Sequence, residues 1–230
     1  MHRPRTWILP ILAAALAAGA CRDATQSLPF EPTKPLLNSA STAPDVECVG
    51  FFPPGTYGNV TVPPGAFCFL MNSVVHGNVK ALQDSRLLMN QDEVHGNVEG
   101  DKADQVQVFA STVGGSIVAK EAVASDAVVF IERTQVRENI IVEKLAGPFL
   151  IVDASTTEVG NIQITENVVE RLFFVRINNV AQNLQVFKNT GPAMKQVLGN
   201  IVSQSIQCFE NDPPLLGGPN TAPKKEGQCF

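Results

Sequence analysis

The chain has 230 residues, 44% of them hydrophobic, with 17 basic against 22 acidic side chains and a formal charge of −5. That length supports one sizeable core, and the composition is globular rather than disordered. The acidic balance speaks against nucleic-acid binding, which needs a basic surface to neutralise phosphates.

His2, Arg3 and Arg5 open the chain as a positive n-region, Trp7 to Ala17 form an apolar h-region, and small residues run up to Cys21. This is the layout of an export signal peptide over residues 1–20. The apolar run is too short for an ordinary membrane-spanning helix, and no later stretch reaches about 18 apolar residues. Ala18-Gly19-Ala20-Cys21 carries two readings. It resembles a bacterial lipobox, which implies cleavage before Cys21 and lipidation of that thiol, a lipid anchor in a membrane, with Ala18 where Leu is preferred. It is also an A-x-A site for ordinary signal peptidase, which would give a secreted form. Parity favours the lipoprotein: without Cys21 four cysteines remain, Cys48, Cys68, Cys208 and Cys229, an even set suited to two disulfides in an oxidising compartment. The mature chain keeps 15 basic and 22 acidic side chains, a formal charge of −7. Residues 21–45, with Pro29, Pro32, Pro35 and Pro44 among Ser, Thr, Asn and Ala, are expected to form a partly extended tether.

From there the chain repeats itself. Val75-His76-Gly77-Asn78-Val79 returns as Val94-His95-Gly96-Asn97-Val98, and alignment on the asparagine gives Asn59, Asn78, Asn97, Ser116, Asn139, Asn161, Asn183 and Ser205 at spacings of 19 to 23 residues. The next residue is always β-branched or Leu, from Val60 to Ile206, and a second column two further on runs from Val62 to Cys208. Apolar positions alternating with polar ones are the period of a half-buried strand. The preceding Gly58, Gly77, Gly96, Gly115 and Gly160 are expected to supply turn conformations that a Cβ resists. Further apolar runs, Val106 to Phe109, Val128 to Ile131, Phe149 to Val152 and Leu172 to Ile177, would fill the other faces of each unit. No unit has room for a helix as well. The expected fold is all-β, a single-stranded right-handed parallel β-helix of about eight coils over residues 46–212, with a capping tail at 213–230. Coil length and the preference of parallel crossovers favour the right hand.

Stacking turns equivalent residues into ladders. Gln163, Gln185 and Gln207 form one, Asn167, Asn189 and Asn211 another, and Glu166, Lys188 and Glu210 alternate in sign. Lys80 is expected beside Glu99. An open solenoid end invites polymerisation. Cys48 with Cys68 and Cys208 with Cys229, one of three possible pairings, would close loops at both ends, and Pro53-Pro54, Pro63-Pro64 and Pro213-Pro214 would obstruct pairing there.

Candidate chemistry is sparse. His76 and His95 occupy equivalent positions about 5 Å apart, near enough to share a metal ion, yet no further ligand is clearly placed. They are expected to face solvent, with no metal or other cofactor. Asp84, Asp92, Glu93, Asp101 and Asp104 form a loose acidic patch without an Arg or Lys cluster, expected to be a solvated face. Phe187 and Phe209 are expected in the core. Tyr57 is the sole tyrosine and the sole tryptophan, Trp7, leaves with the signal, so sugar-stacking platforms are scarce. No H-E-x-x-H, G-x-S-x-G or Walker A sequence occurs, and no catalytic residue is singled out.

Cys48, the Gly58-Asn59-Val60-Thr61-Val62-Pro63-Pro64-Gly65-Ala66 opening, the Asn183-Leu184-Gln185-Val186 coil and the Pro219-Asn220-Thr221 to Gly227-Gln228-Cys229 ending carry a resemblance over about residues 48–229. The chain resembles an uncharacterised group of exported bacterial proteins with Gly-Asn-Val coils. More distantly it is similar to bactofilins, polymerising β-helix proteins that lack a signal peptide and disulfides. The resemblance implies no activity. The first expectation is a non-enzymatic scaffold or binding surface for a protein or glycan partner, tethered at the cell envelope or secreted. The second is a polysaccharide-active lyase or hydrolase, which requires a groove lined by acidic and basic residues from three or more coils. The third is extracellular self-association through coil ends.

Overall fold

The computed structural model describes residues 43–229; the export signal, the lipidation candidate Cys21 and the tether up to residue 42 lie outside the described residues. The described chain contains strands, turns and no helix. Its strands form three parallel sheets, each visited once per coil. Sheet A has ten strands, from Val46–Glu47 to Lys224–Gly227; sheet B has nine, from Gly50–Phe51 to Leu216–Gly217; sheet C has eight, from Thr56–Tyr57 to Ile201–Val202. The fold is a parallel β-solenoid of about eight turns.

Sheet A holds the repeated phrase in register. Val60 pairs with Val79, Val79 with Val98, Val98 with Ile117, and the column continues through Ile140, Ile162 and Leu184 to Ile206. All eight are fully buried, as are Val62, Ala81, Val142, Ile164, Val186 and Cys208 two residues on. The strands of sheet C contribute Val75, Val94, Val113, Val136, Val180 and Val202 to the same interior. Sheet B adds Leu70, Leu87, Met89, Ile131, Leu150, Phe173 and Val175.

The corners correct one expectation. Gly58, Gly77, Gly96, Gly115 and Gly160 do not adopt positive φ. They are needed because a Cβ there would collide with the coil below: at Gly77 with the Oδ1 of Asn59, at Gly115 with that of Asn97, at Gly160 with the carbonyl of Glu138. The left-handed conformation is taken instead by residues with side chains. At the corner from sheet A to sheet B these are Asp84, Lys102, Glu121, Lys144, Glu166, Lys188 and Glu210; at the corner from sheet B to sheet C, Asn72, Gln91, Ala110, Arg133, Ala154 and Ile177. Such residues endure a normally disfavoured φ because the ladders on both sides over-determine them. The first set alternates in sign along its whole length, so each charge within it has opposite charges above and below, and Asp84 and Glu210 at its ends have one such neighbour each.

Asparagines bind the corners together. Asn78 N donates to Asn59 Oδ1 at 2.9 Å, Asn97 N to Asn78 Oδ1 at 2.8 Å and Ser116 N to Asn97 Oδ1 at 2.8 Å. Ser116 Oγ takes over this role for Asn139 N at 3.2 Å. The column starts one repeat earlier than the sequence suggested: Asp45 Oδ1 accepts from Asn59 N at 2.7 Å, and these bonds hold its carboxyl below the ordinary carboxylate range. Pro44 O accepts from Gly58 N, so residues 44 and 45, expected in the tether, are bonded into the first corner. Inside the next corner, Asn167, Asn189 and Asn211 form a buried ladder, with each Nδ2 also donating to a strand carbonyl of the coil below.

The ends are closed by Cys48–Cys68 and Cys208–Cys229, with all four cysteines fully buried. This chemistry fits an oxidising compartment. The C-terminal segment does more than cap: Leu216–Gly217 extends sheet B, Lys224–Gly227 extends sheet A and Thr221 bridges to Ile201 of sheet C. It is a further, partial coil.

Candidate functional site

Three places gather side chains that could act on something outside the chain. The first is the histidine pair. Both rings are exposed, and His76 Nδ1 lies 3.1 Å from His95 Nδ1. His95 Nε2 lies 3.0 Å from Glu93 Oε1. A carboxylate only accepts, so His95 Nε2 donates to it, and in neutral rings this leaves His95 Nδ1 to accept from His76 Nδ1–H. The two rings therefore satisfy each other. Among the described residues no group of three His, Cys, Asp or Glu side chains is placed to hold a metal ion.

The second place is the expected acidic patch, which the structure divides. Asp84 and Asp101 are exposed, as is Glu93, whereas Asp92 is 2% exposed, contrary to expectation. It occupies a buried column at the corner from sheet B to sheet C, between Ser73 and Ser111, where later coils carry Thr134, Ser155, Asn178, Asn200 and Asn220. Its Oδ1 accepts from Ser73 N at 2.8 Å and its Oδ2 from Asn90 N at 2.9 Å. Burial outweighs these bonds and pushes the carboxyl up to about 6. The later coils of this column show what the position wants: Asn178 and Asn200 accept with Oδ1 and donate with Nδ2 to the carbonyls of Val152 and Val175.

Asp104 meets Asp84 and Asp126 near the corner from sheet A to sheet B. Burial first, then the charges of Asp126 and Asp84, raise its carboxyl against the pull of Arg86, which pairs with Asp126 at 2.8 Å. Beside them Gln83, Asp84, Lys102, Glu121, Val123 and Lys144, from four coils, line a depression of about 360 Å³. Its charges belong to the alternating corner column, and Lys102 faces Glu121 at 3.8 Å.

The third place was hidden in the sequence. The outer face of sheet B is apolar along most of its length. Its central column runs Phe51, Phe69, Leu88, Gln107, Phe130, Ile151, Phe174, Gln196 and Leu216. Phe109, Phe130 and Phe149 cross it diagonally, with successive ring centroids 6.2 Å apart. Exposure is greatest at its two ends, where Phe51 is 79% exposed, Leu216 53% and Met194 48%; at its middle Phe130, Phe149 and Phe174 are half-buried and Ile151, packed among them, is 9% exposed. Polar side chains interrupt the central column at Gln107 and Gln196 and the margin at Glu132, Asp153 and Arg176, where Arg176 Nη2 meets Asp153 Oδ2 at 2.6 Å and its guanidinium lies 4.0 Å over the Phe174 ring. The runs 106–109, 128–131, 149–152 and 172–177 thus send alternate residues inward and outward, and apart from Gln107 and Arg176 the outward set is apolar as well.

Phe187 and Phe209 also depart from expectation. They stack 5.9 Å apart on the outside of sheet A, half-buried and 41% exposed respectively, instead of in the core. In sheet A Lys80 pairs in register with Glu99, and Gln185 Nε2 donates to Gln207 Oε1 at 3.0 Å. The buried Lys195, also missed, lies in an inward column in register with Phe173 and donates to Gly191 O and Asp212 O at 2.6 and 2.9 Å. Desolvation lowers its ammonium against the opposing pull of Asp212. No family model, curated protein or solved structure matches the chain.

Proposed function

We propose that the chain is a non-enzymatic, exported β-helix, held at the cell envelope by lipid on Cys21 or secreted, that works as a scaffold and binds a partner through the outer face of sheet B. The observation that carries this reading is the apolar face itself. Soluble surfaces seldom expose apolar side chains contiguously over such a length, and where they do the patch is an interaction site. The paired cysteines support export, and the sequence up to Cys21 supports the anchor. An apolar dye is expected to fluoresce on the folded mature protein and to lose most of that signal in Phe130→Lys. Equal fluorescence from both proteins would remove the basis of the reading. Mass spectrometry of the native N-terminus is expected to find a lipidated Cys21; an unmodified mature terminus would leave the secreted form.

A second reading, a polysaccharide-active enzyme, draws support from the charged depression and from the raised Asp104 beside Asp126 and Arg86. A carboxyl shifted in this direction is what general acid work calls for. The alternating corner column accounts for most of the lining charges without any substrate. Glycan turnover abolished by Asp104→Asn would establish this reading and displace the first.

A further inference from the structure

We infer that the occupant of the sheet B face is a second copy of this chain, packed face to face across a two-fold axis. This rests on the reading of that face as the binding surface and names its partner. The pattern of the face is self-complementary. The strand Phe149–Asp153 section of sheet B has Val128–Glu132 on one side and Leu172–Arg176 on the other. An axis lying along the strands at the level of Ile151 reverses the order of coils while keeping each column opposite itself. It brings Phe130 of one copy opposite Phe174 of the other, Val128 opposite Leu172, and Glu132 opposite Arg176. Phe149 and Ile151 meet their own counterparts on the axis, Phe109 meets Leu198, and Glu132 meets Arg176 twice by symmetry, while the two Asp153 carboxylates, each paired with its own Arg176, face each other across the axis.

Among the described residues Arg176 makes one hydrogen bond, from Nη2 to Asp153, so its terminal nitrogens keep donors to spare, while its Nε is buried. Seven strands overlap about this axis, with Leu216–Gly217, two residues long, limiting both outermost pairs; at about 4.8 Å per strand and about 3.4 Å per residue the overlap is about 470 Å² per copy. The total of about 950 Å² is close to the roughly 1,000 Å² of a specific interface and has the size of a weak, reversible one. Face-to-face packing of two sheets is also how β-sandwich interiors form.

The deciding experiment is light scattering on the mature chain and on two charge-reversed variants, Glu132→Arg and Arg176→Glu, alone and mixed, with thermal melts to verify folding. The wild type is expected at twice the monomer mass. Each variant alone sets like charges opposite each other and is expected to be monomeric at the same concentration. Their mixture restores both cross-copy pairs and is expected to return to the dimer mass, which no effect within one chain can produce. Phe130→Lys, on the outer surface and away from the core, is expected to remain monomeric in every mixture. A monomeric wild type overturns the inference, as does a dimer that survives in all three variants. A monomeric wild type that still binds apolar dye at Phe130 leaves the face as a binding surface for another occupant; hydrogen exchange protecting residues 28–37 would identify that occupant as the chain's own N-terminal segment. A monomer without such dye binding removes both readings.

Discussion

Asp92 has the shape the corner requires and the wrong chemistry. An amide there accepts and donates, as Asn178 does, whereas a carboxylate must stay charged in a buried column or take up a proton. Its carboxyl stands at about 6 against an ordinary 3.8, so between those values the folded chain holds a proton that the unfolded chain has released. The stabilisation is therefore fully present below about pH 4 and is lost as pH rises through about 6. Asp92→Asn is expected to melt higher than wild type at pH 7.5, with the gap shrinking at pH 4.5; a gap independent of pH would refute the assignment. The glycines argue by space. Gly77→Ala is expected to cost about 1–3 kcal/mol in urea unfolding, because its Cβ meets the Asn59 Oδ1. Asn59→Ser should recover part of this, since the Ser116 corner already carries Glu138 in the glycine position of the next coil. The sequence displayed these glycines and asparagines plainly. What it could not display was their contact across coils, which shifts the reason for glycine from dihedral freedom to clearance.

At the scale of the element, the asparagine ladders carry more than the pairs within any one coil. Asn189 accepts from Asn167 N and Nδ2 and donates to Ile164 O and Asn211 Oδ1. Asn189→Ala would leave several of these buried partners unsatisfied, at about 1–3 kcal/mol each for groups that water cannot reach. We expect a loss of at least about 3 kcal/mol by denaturant titration, whereas Gln185→Ala, which breaks one half-buried bond outside sheet A, should stay within about 1 kcal/mol. A loss at Asn189 no larger than at Gln185 would show that the ladder does not act as a unit. The Asn167 column was legible because three coils align letter by letter. The Asn178, Asn200 and Asn220 column escaped notice because Asp92, Ser111, Thr134 and Ser155 precede it in the same place, three further residue types sharing a position but no spelling.

For the whole molecule, the two disulfides close the interior at its exposed ends, where strand edges lack a next coil. Each loop is about 20 residues, which corresponds to about 3 kcal/mol of restricted unfolded-chain entropy. Reduction is expected to lower the melting temperature and to fray the terminal coils first, seen as early hydrogen exchange at Val60 and Ile206 relative to Ile140. Uniform exchange along the stack would argue that the solenoid unfolds as one unit with no weak ends. Fraying would also bear on association: an opened end exposes strand edges, whereas the intact molecule offers the apolar face of sheet B.

By itself, the sequence determined the coil: its period, the inward column from Val60 to Ile206, and the corner where glycine and asparagine recur. Period-2 alternation of apolar with polar residues in sheet A leaves a single orientation, since a one-residue slip would bury Lys80 and Glu99. In sheet B both sets of alternate residues are mostly apolar, so the pattern that assigns a side to each residue is missing. Only the tertiary structure decided that Leu150 and Val152 close the interior while Phe149 and Phe130 face outward, because closure of three sheets admits one set of side chains and leaves the other uncovered. The surface most suited to a partner was for that reason the one the sequence concealed.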